Sequence, residues 1–279
     1  MSRRPLFLLT LALASALGAL AVWVAAFHVA GLRSLDAGAM QAFTGVARVP
    51  LEPSIRGVAR LADPSWFLTG CALLTAVALL RRRWLMALVI PAILLSANAT
   101  TQLLKPALAD PRTLDLRGVE MIYHGSWPSG HSTASMSLAL CFVLVVGPRL
   151  RPLAAVIGAG YAIAVGYALV ALGYHLPSDV FGGYLVAATF TLVGAAALAT
   201  LEARAPARVA RERTRRPLPV APLAASGGLL LGCVAAAVVL SAPGMTLNAL
   251  QHPSAIAAGA AIATLGLTLT AGLAVVLRR

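Results

Sequence analysis

Long apolar runs, broken at intervals by clusters of arginine or by short stretches rich in proline, glycine and histidine, set the pattern of this chain. A helix needs about 20 apolar residues to cross the roughly 30 Å hydrocarbon core of a bilayer. Eight windows of about that length recur, over residues 5–29, 64–80, 84–104, 131–147, 153–174, 180–201, 218–242 and 254–277. The 64–80 window is short and takes Asp63 to Ser65 as a capped or snorkelling end. Between the first two windows, residues 31–63 carry spaced apolar positions (Leu35, Met40, Phe43, Val46) among scattered charges, the pattern of an interfacial amphipathic helix. An arginine-rich stretch ending at Pro217 separates six predicted helices from a final pair. The organisation this predicts is a core over 1–201, a linker over 202–217 and a two-helix extension over 218–279. No internal repeat is present.

Composition supports that pattern. Of 279 residues 59% are hydrophobic and 11% charged, and the mean hydropathy is +0.86, which excludes an ordinary soluble domain and a disordered chain. The net charge of +13 invites a nucleic-acid reading, but the arginine clusters are separated by apolar runs too long to form one basic face. Charge instead reports topology, because short cytoplasmic loops collect arginine and lysine. With the N-terminus inside, the inner segments hold 15 basic residues against Glu202 and Glu212, and the outer segments hold seven basic and seven acidic residues. All five histidines (His28, His124, His131, His175, His252) fall at outer ends. The expected architecture is an all-α membrane protein of eight spans with both termini cytoplasmic, the first span an uncleaved signal anchor. Cys71, Cys141 and Cys233 sit far apart inside apolar runs and read as core residues. Heavy arginine, alanine and leucine usage suggests a bacterial inner membrane.

Polar groups at membrane depth are costly, so places where they gather are functional candidates. Three gather at the predicted outer boundary. The first is Lys105 through Arg112, just after the third predicted helix; Lys105 is the chain's only lysine. The second is Trp127-Pro-Ser-Gly-His131-Ser, before the fourth helix, where free backbone N–H groups and the helix dipole favour an anion. The third is His175-Leu-Pro-Ser-Asp179, where a carboxylate that accepts from one imidazole nitrogen leaves the other available as a nucleophile. Each alone also fits a structural role, as an interfacial cation pair or as a helix cap. Together they point to a phosphate site.

In order and spacing, Lys105-x6-Arg112, Pro128-Ser-Gly-His131 and Gly173-Tyr-His175-Leu-Pro-Ser-Asp179 resemble the three-part signature of the type-2 phosphatidic acid phosphatase superfamily, membrane lipid phosphatases with a six-helix core. The resemblance covers residues 1–201 and leaves the last two helices unexplained. It implies a phosphohistidine mechanism at the periplasmic leaflet, with His175 as nucleophile, Asp179 orienting it and His131 protonating the leaving oxygen. Lys105, Arg112, Ser129 and Gly130 would hold the phosphoryl oxygens. No cofactor or metal is needed on this reading. The partners are the bilayer and a lipid phosphate, not nucleic acid, and the oligomeric state is left open.

The sequence departs from the family pattern in two places. The third part usually begins Ser-Arg, and those positions are Ala168 and Leu169; the first part usually has proline after its arginine, where Thr113 stands. Loss of a preorganised phosphate donor typically costs about 10² to 10³ in rate. Arg117 or His124 in the outer loop are the expected substitutes. The alternatives to hydrolysis are a lipid phosphotransferase, or a weak lipid-phosphate binder if Leu169 is disabling. A transporter is disfavoured by the lack of ionisable residues at mid-depth.

Overall fold

The computed structural model describes residues 3–46, 52–108, 112–116, 119–123, 127–203 and 253–278. Among them are nine helices: α1 (Arg3–His28), α2 (Ala30–Val46), α3 (Glu52–Arg60), α4 (Pro64–Leu80), α5 (Trp84–Leu108), α6 (Gly130–Val145), α7 (Arg151–Ala171), α8 (Pro177–Ala203) and α9 (Pro253–Val276). Five of these, α1, α5, α7, α8 and α9, are long and apolar enough to cross a membrane, and α3 with α4, bent by 47° at their junction, make a sixth candidate. The chain is a multi-pass membrane protein.

The helices form one bundle around α6, which packs against α4, α5, α7, α8 and α9. Met136, Cys141 and Val143 on α6 are wholly buried, as are Ile90 and Leu94 on α5 and Val180, Tyr184 and Ala187 on α8. Leucines turned outward, such as Leu13, Leu73, Leu88 and Leu103, leave the periphery apolar as well, as a lipid-facing surface must be. At about 1.5 Å per residue, the 16 residues of α6 span roughly 24 Å, short of the hydrocarbon thickness. Neighbouring helices enclose α6, so its length need not match the bilayer.

Charge sorting and packing agree on which helix ends lie together. Arg4 at the start of α1 and Arg151 at the start of α7 both donate to the Leu277 carbonyl just past α9, at 3.4 and 2.9 Å. Arg81 donates to the Val145 carbonyl closing α6, and Arg83 pairs with Glu202 near the end of α8 at 2.9 Å. Carbonyls at helix C-termini lack intrahelical partners and carry partial negative charge, which arginine satisfies well. Every charged residue in this set belongs to the segments that the sequence reading assigns to the inner side.

Four expectations change. The outer segment forms two helices, α2 and α3, where one was expected. The third span continues to Leu108, so Lys105 stands in the last turn of α5 and not after it. The following loop contains a two-stranded antiparallel hairpin, β1 (Arg112–Leu116) and β2 (Val119–Tyr123), with Arg112 opposite Tyr123. The last predicted span, α9, is built into the core: Ile262, Leu273 and Ala274 are buried, and it packs on α7, α2, α6 and α8. The 218–242 window lies outside the described residues.

Candidate active site

The turn between α7 and α8 is fixed by its own sequence. Gly173 follows the end of α7 with a φ of +69°, a left-handed conformation that glycine adopts without a Cβ penalty. Its N–H donates to the Val170 carbonyl and that of Tyr174 to the Leu169 carbonyl, both at 3.0 Å, the paired bonds of a Schellman closure. His175 N–H also reaches the Leu169 carbonyl, at 3.4 Å. Pro177 then opens α8, where a missing N–H costs nothing. Asp179, two residues further on, accepts from the Leu176 N–H through Oδ2 at 3.1 Å, as the acidic member of a capping box does. The same oxygen lies 3.4 Å from His175 Nδ1. A carboxylate can only accept, so Nδ1 carries the proton and Nε2 of the neutral ring keeps its lone pair. Asp179 is 0% exposed and His175 7%.

The start of α6 is docked on this turn. Ser129 caps the helix, accepting from the Ser132 N–H through Oγ at 3.2 Å, and its own N–H donates to the Asp179 carbonyl at 3.0 Å. The N–H groups of Gly130 and His131 have no intrahelical acceptor at this position. The close approach depends on glycine in α8: a Cβ at Gly183 would stand 2.7 Å from the Ser129 carbonyl oxygen, and one at Gly182 2.5 Å from Trp127 Nε1. The third cluster arrives on α5, where Lys105 Nζ lies 3.7 Å and Gln102 Nε2 3.2 Å from where a Cβ on Gly130 would be. Thr101 and Thr133, whose hydroxyls are 3.0 Å apart, tie α5 to α6 beneath them. Thus Lys105, Ser129, Gly130, His131, His175 and Asp179 converge at one end of the bundle. The Ser132 hydroxyl, buried beside them, has no partner among the described residues.

Two carboxylates that sequence reasoning did not select complete the arrangement. Asp36 of α2 accepts from the Ser178 N–H at 3.0 Å and the Ser178 hydroxyl at 2.5 Å, clamping the start of α8. Asp63, expected to cap α4, makes no side-chain cap there; its Oδ1 is 3.1 Å from His131 Nε2. Their signal in the sequence was only an acidic residue at the outer boundary, shared with five others.

Arg112 begins β1, and Arg117 and His124 lie outside the described residues. Leu169 is 1% exposed in an apolar cluster with Ala59 and Ala62, beneath α3. On that same helix, Arg56 donates to the Tyr174 hydroxyl at 2.6 Å and pairs with Glu52 at 2.5 Å. Among the described residues no three His, Cys, Asp or Glu side chains gather as a metal site requires. A cavity of about 400 Å³ between α1, α6, α8 and α9, lined by residues such as Phe7, Leu11, Leu140 and Leu269, contains no titratable group.

An all-helical membrane bundle with two histidines, a buried carboxylate and a lysine at one end defines the class of protein. Comparison with known families gives one match: residues 84–203, which carry these groups, are similar to the PAP2 superfamily. The fold is similar to that in a crystal structure described as the first transmembrane PAP2 type phosphatidylglycerolphosphate phosphatase from Bacillus subtilis. The TM-score is 0.51 and the identity 22%, over 71% of this chain and 96% of that one. Comparison with curated proteins finds no match.

Proposed function

We propose that the protein is a lipid phosphatase working at the periplasmic leaflet of a bacterial inner membrane. The observation that carries this reading is the convergence of three separated clusters: Lys105 beside Gly130, and Ser129 hydrogen-bonded to the Asp179 backbone, next to a His175–Asp179 pair. His175 Nε2 forms the bond to phosphorus while the bond from phosphorus to the lipid oxygen breaks, and His131 gives that oxygen a proton. Water then attacks the phosphohistidine, the P–N bond breaks, and the water proton returns to His131 as phosphate leaves. Lys105, with the N–H groups of Gly130 and His131 at the helix N-terminus, neutralises the phosphoryl oxygens; phosphoryl transfer is mostly such positioning and charge stabilisation. Arg112 is proposed to join them from the loop after α5.

A site at the helix ends of a bilayer-embedded bundle suits a substrate whose tails stay in lipid while its headgroup enters sideways. Phosphate release from phosphatidate, phosphatidylglycerol phosphate and a polyprenyl diphosphate by detergent-solubilised protein tests the proposal. Release by the native chain that is absent from His175→Ala is expected. Equal release by both, or none by the native chain on any of them, refutes hydrolysis. Transfer of phosphate to an added alcohol would instead identify a phosphotransferase.

A further inference from the structure

Asp63 is the N-cap of α4, with φ −61° and ψ 156°, the extended backbone from which an aspartate ordinarily accepts from its own helix. That interaction is absent. The carboxylate turns instead to His131, 68 positions along the chain, with Oδ1 3.1 Å from Nε2. Forgoing a cap destabilises a helix, so the turn away needs an interaction that offsets it. The backbone around Asp63 is well held: its N–H donates to the Arg60 carbonyl at 2.9 Å, and Tyr161 on α7 donates to the Leu61 carbonyl at 2.9 Å.

The geometry also answers a difficulty in the mechanism above. His131 is the second residue of α6, where the positive end of the helix dipole opposes a charged imidazolium. Lys105 is close by and adds to that opposition. Yet a group that protonates a leaving oxygen has to carry a proton. A carboxylate at Nε2 stabilises the imidazolium, fixes the ring, and leaves Nδ1–H as the nitrogen able to donate. We infer that Asp63 is the positioning carboxylate of His131, holding it as proton donor to the leaving group, so that each histidine of the site has its own aspartate. Asp63 lies before the 84–203 segment, and this pairing is a property of the whole chain and not of the matched segment.

The inference rests on the phosphatase reading, and leaving-group dependence tests it. Phosphatidate releases a poor alkoxide leaving group, whereas p-nitrophenyl phosphate releases a phenolate that needs little protonation. Asp63→Asn is expected to lower kcat on phosphatidate by about 10²-fold, the lower range for losing general acid catalysis, and on p-nitrophenyl phosphate by less than about threefold. His131→Ala should show the same selectivity, the double variant should lose little more than either alone, and Asp63→Glu should recover part of the phosphatidate rate. Equal losses on both substrates, or additive losses in the double variant, overturn the role of Asp63 while leaving the phosphatase reading intact. A native chain that turns over neither substrate overturns both.

Discussion

The two histidines of the site are held in opposite ways. His175 is buried, and the groups that place it lie within a few residues: the Leu169 carbonyl, Gly173 in its left-handed turn, and Asp179. His131 is half-exposed, its side chain 38% accessible, and its carboxylate comes from another helix. The contrast matches the chemistry proposed for each. A nucleophile has to present one lone pair along one line, and a rigid local turn does that. A proton donor has to hold charge at a helix end that resists it, which takes an opposite charge brought from outside the helix.

The largest effect should come from the buried histidine. His175→Ala removes the proposed nucleophile and is expected to lower phosphate release by roughly 10⁴-fold or more, as loss of a nucleophile does elsewhere. Measured beside Asp63→Asn, it sets the scale of the comparison: a small effect at His175 with a large one at His131 would reverse the roles.

The second effect concerns Leu169. By the family pattern alone, restoring arginine there should repair a lost phosphate clamp. The packing predicts otherwise. Leu169 contributes its carbonyl to the His175 turn while its side chain fills an apolar cluster under α3 with Ala59 and Ala62. Leu169→Arg is expected to bring no gain in rate and to cost about 3–5 kcal/mol, the usual penalty for an unpaired buried charge, read as a lower melting temperature. A gain in phosphate release at unchanged stability would show that α3 can move aside.

These two cases show where sequence reading works and where it stops. The seven predicted spans that fall among the described residues coincide with helices, because a bilayer makes apolar run length and arginine distribution strong signals. The local caps at Ser129 and Asp179 were legible, since glycine, proline and serine at fixed offsets specify caps and turns. Asp36 and Asp63 were not, because their partners are 142 and 68 positions away and nothing local marks them. Nor could the sequence show that α3 covers Leu169, which turns an apparent defect in the clamp into part of a packed face.

A third, smaller effect tests whether the buried turn also draws on a distant carboxylate. Asp36→Asn replaces one of the two acceptors of Ser178 with an amide that still fits but donates, and should cost about 1–2 kcal/mol of stability. Activity should fall modestly and equally on phosphatidate and p-nitrophenyl phosphate. That equality separates Asp36, which holds a helix, from Asp63, which acts through a proton donor.

The smallest effect is the most local. At Gly173 a φ of +69° would cost any residue with a Cβ about 1–2 kcal/mol, and the added carbon would stand 3.3 Å from Thr44 Cγ2 on α2. Gly173→Ala therefore strains the Schellman closure and presses on α2 without removing a polar group. If the turn is as self-contained as its hydrogen bonds indicate, the melting temperature should drop slightly and kcat on phosphatidate should stay within about threefold, because Asp179 still fixes the His175 ring through Nδ1. A much larger fall in kcat would mean that the path of the backbone, and not the aspartate, sets the line of attack. The contrast between a locally built nucleophile and a remotely held proton donor would then rest on a single glycine.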